Sequence, residues 1–266
     1  MVKVIIVGAA GRMGRQLVAG ALQDRGLELV GGIVEPGMPE VGTDLGILGG
    51  QQSIGISAVD DLESVIDGTD AIIEFSAPEA SVQHVELAAR HKKAAVIGTT
   101  GFDTAQMERI RTAAQTIPVL VAPNMSVGVN VLLKVLPIIA KALDSSYDIE
   151  IVEAHHKMKK DAPSGTALKL AEVIAEALDK DLDKVGVYGR RGIAPRQEGE
   201  IGIHAVRAGS IVGDHSVIFA NDGEQIEVIH RAFSRQTFAL GALRAAKTIA
   251  NWKPGLYSMQ DVLDIA

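Results

Sequence analysis

The run Val2-Lys3-Val4-Ile5-Ile6-Val7 ends on Gly8-Ala9-Ala10-Gly11-Arg12-Met13-Gly14, and a helical pattern from Met13 to Leu22 follows without a gap. Few folds accept that order of pieces. A short, β-branched, continuously apolar run is what a strand covered on both faces requires. A glycine loop between such a strand and a helix start is where backbone N–H groups close around a pyrophosphate. The run is too short for a signal peptide with its cleavage site, or for a membrane span. It reads as a buried strand.

Similar runs recur at Leu29 to Val34, Ala71 to Phe75, Ala94 to Ile97 and Val119 to Val121, with helical patterns at Ala80 to Arg90 and Ala105 to Ala114. Strands alternating with helices predict a parallel, doubly wound α/β sheet with right-handed crossovers. Pro36 to Gln52, rich in Gly and Pro, reads as a loop. Beyond Asn124-Met125-Ser126-Val127-Gly128 the pattern changes. A helix (Val131 to Leu143), a strand ending at His155 and a helix (Thr166 to Leu178) precede three β runs between Gly199 and Phe233. The turn signals Ala208-Gly209-Ser210 and Asn221-Asp222-Gly223 predict an antiparallel meander there. The last helix, Phe238 to Asn251, is expected to return to the first domain. The expected division is a dinucleotide-binding domain at 1–126 and 235–266, and a smaller mixed α/β domain at 127–234.

A chain of 266 residues, 47% of them apolar, can bury such cores. Its net charge of −7 argues against the extended basic face of a nucleic-acid or membrane-surface binder. Cysteine is absent, which removes disulfides, thiolate metal sites and a cysteine nucleophile, and suits a reducing, cytoplasmic location.

The glycines at 8, 11 and 14 depart from G-x-G-x-x-G, so close approach to a pyrophosphate is expected at Gly11. Glu35 ends the second apparent strand, where a carboxylate accepts hydrogen bonds from adenosine ribose hydroxyls. Gly98-Thr99-Thr100-Gly101 and Ala122-Pro123-Asn124-Met125-Ser126 leave strand ends on the same side of the sheet. Ligands bind outside those ends in open α/β sheets. Taken singly, both loops also read as ordinary turns.

Against this acidic background, Glu153-Ala154-His155-His156-Lys157-Met158-Lys159-Lys160-Asp161-Ala162-Pro163-Ser164-Gly165-Thr166 gathers five cationic or titratable basic side chains before a helix start. Backbone N–H groups around Ser164, Gly165 and Thr166, with the positive end of the helix dipole, suit a carboxylate or phosphate. Imidazole and ammonium groups beside them can move protons. A metal site would need three or four converging ligands, and no such spacing appears. Lys157 and Lys160 read as a solvated charge run.

Glu153 to Ala167 carries E-[AL]-H-H-x-x-K-x-D-A-P-S-G-T-A without a gap, and with Val7 to Gly14, Gly98 to Gly101 and Ala122 to Ser126 the whole chain closely resembles the 4-hydroxy-tetrahydrodipicolinate (dihydrodipicolinate) reductase family of bacterial diaminopimelate and lysine synthesis. The resemblance implies a Rossmann-like cofactor domain, a mixed α/β substrate domain and a homotetramer. It implies NADH or NADPH as cofactor and a small cyclic dicarboxylate as substrate. It implies that His155 and Lys159 deliver protons, that His156 binds substrate, and that Gly165 and Thr166 hold a carboxylate. Cofactor positions fall on Gly8, Ala9, Ala10, Gly11, Arg12, Met13, Glu35, Gly98, Thr99, Thr100, Ala122, Pro123, Asn124 and Met125. Pro36 and Ala77 stand where members that use NADPH well often carry basic residues, so NADH is expected to serve at least as well; Arg12 remains a cation near a 2′-phosphate. An aspartate or homoserine dehydrogenase, or a nucleotide-responsive sensor, is the rival reading. The paired histidines and Lys159 argue against both.

Overall fold

The computed structural model describes residues 1–265. The chain divides into two compact units, Met1–Val127 with Arg235–Ala266, and Gly128–Ser234.

The first unit runs β1 (Val2–Val7), α1 (Arg12–Gln23), β2 (Leu27–Ile33), α2 (Leu45–Leu48), β3 (Ala71–Glu74), α3 (Pro78–Arg90), β4 (Ala94–Ile97), α4 (Thr104–Ala114) and β5 (Pro118–Val121). Its sheet has the order β11-β5-β4-β3-β1-β2, all parallel, where β11 is the late strand Gly255–Tyr257. Alternate residues of β1 feed opposite cores, as the pleat requires. Val4 and Ile6 pack with Leu17 and Val18 of α1 and with Ala242, Leu243 and Ala246 of the late helix Gln236–Ile249. Ile5 and Val7 pack with Val82 and Val85 of α3 and Ile110 of α4. Helices on both faces make the sheet doubly wound, and the strand order reverses between β1 and β3, the usual ligand crevice of such sheets.

The glycine loop is shaped by close approach. Gly8 has φ +78°, and a Cβ there would lie 2.4 Å from the Phe75 carbonyl oxygen; a Cβ at Gly14 would lie 2.0 Å from the Gly8 oxygen. The stretch Pro36 to Gln52 is not all loop, for it contains α2. Asp44 caps that helix through Gly46 and Ile47 N–H and also receives Ile54 and Gly55 N–H and the Ser53 hydroxyl. A capping carboxylate beside a Gly-rich run can start a short helix where composition suggests only coil.

The second unit contains most of α5 (Val127–Leu143), followed by β6 (Asp148–His155), α6 (Gly165–Ala177), α7 (Leu182–Val185), β7 (Gly186–Tyr188), β8 (Ile201–Arg207), β9 (Gly213–Ala220) and β10 (Gln225–Ala232). The chain ends in the first unit with α8 (Gln236–Ile249), β11 and α9 (Met259–Leu263).

The expected antiparallel meander is only half correct. β9 and β10 form a hairpin through Asn221, whose side-chain oxygen accepts from Gly223 and Glu224 N–H, but the sheet order is β10-β9-β6-β8-β7. β6 lies between β8 and β9, parallel to the first and antiparallel to the second. The cause is the α6 crossover, which returns the chain parallel to β6 and so claims the neighbouring position for β8. Ala208-Gly209-Ser210 therefore wraps the end of β6, with Ala208 N–H on His155 O and Lys157 N–H on Gly209 O.

One face of this sheet is covered by α5 and α6, where Leu132, Leu136, Leu170 and Ile174 meet Ile149, Ile151, Ile201, Ile203, Val217 and Phe219. Ile226 and Val228 pair across strands with Phe219 and Val217, so they share that face. The opposite face carries Val152, Val206, Ile218 and Ile229 between charged residues.

Candidate active site

At the carboxyl ends of β1 to β3, a cavity of about 620 Å³ is lined in part by Gly8, Ala10, Gly11, Glu35, Pro36, Asp60, Phe75, Ala77 and His84. The first backbone bond from α1 back to its cap joins Arg15 N–H to Gly11 O, so the N–H groups of Arg12, Met13 and Gly14 are presented at an uncapped helix start. That cradle suits a pyrophosphate. Gly8 and Ala9 are both tied to β2. Both N–H groups donate to Ile33 O, at 2.9 and 2.8 Å, and the Ala9 side chain is buried. These two residues fix the loop to β2 and leave the anion-facing amides to the helix start. Arg15, which sequence reasoning passed over, ties the loop to the following segment through Ala10 O, Leu48 O and Glu40.

The other two loops also leave parallel strand ends. Gly98 N–H donates to Glu74 O, and a Cβ at Gly98 would collide with the Phe75 ring at 2.1 Å, so this glycine makes room for an aromatic wall. Thr99 is buried, its hydroxyl receiving Ser76 N–H and the Ser81 hydroxyl, whereas Thr100 is exposed. Ala122 and Met125 are buried, Pro123 is exposed, and Asn124 turns the chain by accepting Ser126 N–H. A fully buried Glu74 holds His84 Nδ1 at 2.8 Å and Ser76 N–H at 2.8 Å, a pair invisible to motif reading.

The cationic segment is organised by Glu153. Strand alternation places Glu153 and His155 on the helix-covered face of β6, and the carboxylate is completely buried. Arg207 grips it with both Nη atoms at 2.8 Å, Ser164 N–H donates at 2.9 Å, and His155 Nδ1 lies at 2.6 Å. Burial acts to raise the carboxyl, but the hydrogen bonds from Arg207, His155 and Ser164 outweigh it and hold it below its ordinary value. An ionised carboxylate only accepts, so His155 carries its proton on Nδ1 in the neutral form, and Nε2 is the nitrogen left for chemistry. That nitrogen lies against Gly213, where a Cβ would stand 3.1 Å away.

Lys159, about one-fifth exposed, pairs with Asp161 at 2.9 Å. That hydrogen bond outweighs partial burial and keeps the Asp161 carboxyl below its usual range. His156 is half-buried, and Lys157 and Lys160 are exposed. Gly165 and Thr166 open α6 ahead of its first backbone bond, Leu168 N–H to Ser164 O, so their amides lie at the helix start. Ser164 caps that helix start. It is buried, its hydroxyl accepts Ala167 N–H and meets His215 Nε2, and its own N–H serves Glu153. It supports the site from behind.

Among the described residues, no group of three or more His, Cys, Asp or Glu is placed to hold a metal ion, and no helix is long and apolar enough to cross a membrane. The arrangement offers an oriented imidazole, an ammonium and a helix start within one short segment of the second unit.

Comparison with known proteins gives the same pairing of parts. Residues 2–125 match the family model of the dihydrodipicolinate reductase N-terminus and residues 128–263 that of its C-terminus. The chain is 52% identical to the 4-hydroxy-tetrahydrodipicolinate reductase of Syntrophus aciditrophicus over 264 residues, covering 99% of this chain and 98% of the relative. It is 52% identical to that of Rubrobacter xylanophilus over 263 residues, again covering 99% and 98%. A dipicolinate-bound dihydrodipicolinate reductase from Paenisporosarcina sp. TG-14 superposes with a TM-score of 0.77 at 26% identity, with full coverage of both chains. With both halves matched in order and half of all positions identical along its length, this chain belongs to the dihydrodipicolinate (4-hydroxy-tetrahydrodipicolinate) reductase family.

Proposed function

We propose that this chain reduces 4-hydroxy-tetrahydrodipicolinate, by way of dihydrodipicolinate, to tetrahydrodipicolinate in diaminopimelate and lysine biosynthesis, using NADH or NADPH. The observation that carries this reading is the single Glu153 carboxylate that joins His155 to the start of α6. It sets a proton-transfer group and an anion-binding helix terminus side by side, as an unsaturated cyclic dicarboxylate needs.

A nicotinamide, when bound, would supply the hydride for ring C4. The residues do the rest. His155 delivers the proton to C3 from Nε2, since Nδ1 is occupied by Glu153. Lys159 lowers the negative potential of the substrate carboxylates and assists the transfer. Gly165 and Thr166 hold one carboxylate at the positive end of α6, and His156 contacts the substrate beside it. The dinucleotide would be held by the α1 start at Arg12 and Met13, with Glu35 on a ribose; the cavity and the uncapped helix start fit such a group. Two further proposals accompany this reading: that the second unit binds substrate, and that its outer sheet face joins four copies of the chain.

The test follows NADH and NADPH oxidation while aspartate semialdehyde and pyruvate are condensed in situ by the preceding enzyme. Oxidation that requires the condensation product supports the proposal. Oxidation of neither cofactor, with a folded protein, overturns it.

A further inference from the structure

The buried charge behind His155 is larger than orientation alone requires. A lone carboxylate would fix the imidazole as well as Glu153 does, yet Arg207 from the neighbouring strand takes hold of both carboxylate oxygens at 2.8 Å. The register explains how: Arg207 is the parallel partner of His155 across β6 and β8, and Glu153 is the antiparallel partner of His215 across β6 and β9. Arg207 is itself anchored, with Nη1 on Val206 O and Nη2 on Asp161 O, each at 2.7 Å. Its position is set by the fold and does not depend on a ligand.

We infer that Glu153 and Arg207 form a positioning pair that fixes the tautomer of His155 and the net charge beside its ring, an inference that rests on the reading of His155 as the proton donor. Glu153 holds Nδ1–H and leaves Nε2, against Gly213, as the nitrogen for proton transfer. Arg207 shares the same carboxylate and offsets its charge, so that the ring stands beside an ion pair and not an unshared anion. The other charged or titratable groups around His155 are His215 on β9, with ring centroids 5.3 Å apart, and His156, Lys159 and Asp161 on the following loop. Of these, only Asp161 attracts the imidazolium, and it is already paired with Lys159.

The two partners therefore act with opposite sign. For a general acid, kcat/KM falls on the alkaline side as the donor loses its proton. Glu153→Gln removes the anion, so that limb should move to lower pH by about one unit or more. Arg207→Met removes the cation and should move it to higher pH by a similar amount, with a lower plateau kcat because the acid is weaker. Substrate KM should change less than threefold in either, since Glu153 is fully buried and Arg207 is engaged by Glu153, Val206 O and Asp161 O. Arg207→Lys keeps the charge without the fork and should bring the limb back towards the native position. A purely structural pair would lower activity in both variants with the limb unmoved, or moved the same way, and that result overturns the inference.

Four donors converge on Glu153, so Glu153→Gln turns an amide N–H₂ towards them and the variant needs a thermal-unfolding check. A measurement on the native protein stands apart from folding of variants: ¹⁵N NMR of the histidine side chains above the neutralisation of His155 should show Nδ1 protonated. Protonation on Nε2 overturns the inference. His155→Gln separates the two levels. If it keeps near-native turnover, the proton-donor reading fails; if it is inactive while the limbs of the Glu153 and Arg207 variants stay still, only the positioning role fails.

Discussion

The hydroxyl of Ser164 lies 3.1 Å from Nε2 of His215, and both side chains are buried. Burial, reinforced by repulsion from His155 and His230, lowers His215 to about 4. The neutral ring is thus built into the fold, behind the start of α6 and next to His155. An unfolded chain binds a proton at His215 near its ordinary value, whereas the folded chain does not until about pH 4. Stability is complete above the unfolded value and is lost as pH falls between the two. The loss attributable to this group is on the order of 3 kcal/mol. Thermal unfolding followed from pH 7 to pH 4.5 should show a falling midpoint, and His215→Gln should flatten that fall. An NMR titration of His215 with a midpoint above 6 would sink the idea.

Proton delivery gives the second expectation. His155→Gln and Lys159→Ala should each reduce kcat by about two to four powers of ten, the range usual for loss of a general acid. NADH affinity should stay within a few-fold, because the cofactor cleft lies in the first unit. Asp161→Asn frees Lys159 from its 2.9 Å partner and should leave more than a tenth of native turnover. Near-native kcat in both His155→Gln and Lys159→Ala, with native folding, refutes the assignment.

How much of this is legible in the sequence follows from which interactions are local. The glycine loop and the strands that feed the first sheet announce themselves because a strand buried on both faces must be continuously apolar. Glu153 was within reach too. It lies two residues before His155 on a strand, hence on the same face. Arg207 and His215 were not, because they meet Glu153 only through the insertion of β6 between β8 and β9, and the turn at Ala208 to Ser210 imitates a hairpin. The Ser164 hydroxyl carries the same lesson. A motif names the residue but not whether its hydroxyl faces the ligand or, as here, a buried imidazole. Short elements such as α2 and β11 escape because a capping carboxylate or one sheet-edge pairing decides them.

Assembly is the third expectation, and the structure changes its basis. The apolar residues Ile201, Ile203, Val217, Phe219, Ile226 and Val228 of β8 to β10 share the helix-covered face or its edge, so they offer no second face to bury. The outer face instead offers Val152, Ile218, Val206 and Ile229, the last two 43% and 44% exposed, rimmed by Asp214, Glu227 and Arg231. An apolar patch with a charged rim suits a symmetric contact between copies. Light scattering should give a tetramer, and Ile229→Lys should weaken it without unfolding the chain, since that side chain is already half exposed. A stable, active monomer across dilution speaks against a homotetramer, and a tetramer indifferent to Ile229→Lys against this face.

Cofactor choice is the last expectation. Glu35 and Asp60 both line the 620 Å³ cavity, no Lys or Arg lines it among the described residues, and Pro36 offers neither a cation nor a backbone N–H. A ribose hydroxyl pair can donate to Glu35. A 2′-phosphate would instead bring nearly two negative charges up to two carboxylates. Both acids are exposed, so solvent and salt screen the conflict, and Arg12 at the helix start relieves part of it. A preference for NADH of roughly tenfold or less is what such a screened repulsion supports. His84 is the remaining basic group on the lining, and it is already held by buried Glu74. Pro36→Arg supplies a planar fork at the mouth of the cavity and should raise kcat/KM for NADPH more than for NADH. Asp60→Asn should shift the ratio in the same direction by a smaller factor, because it removes one repelling charge and adds no attraction. Measured ratios for the three proteins decide between this account and its opposite: a native preference for NADPH well beyond tenfold, unmoved by either substitution, means that residues outside this cavity set the choice.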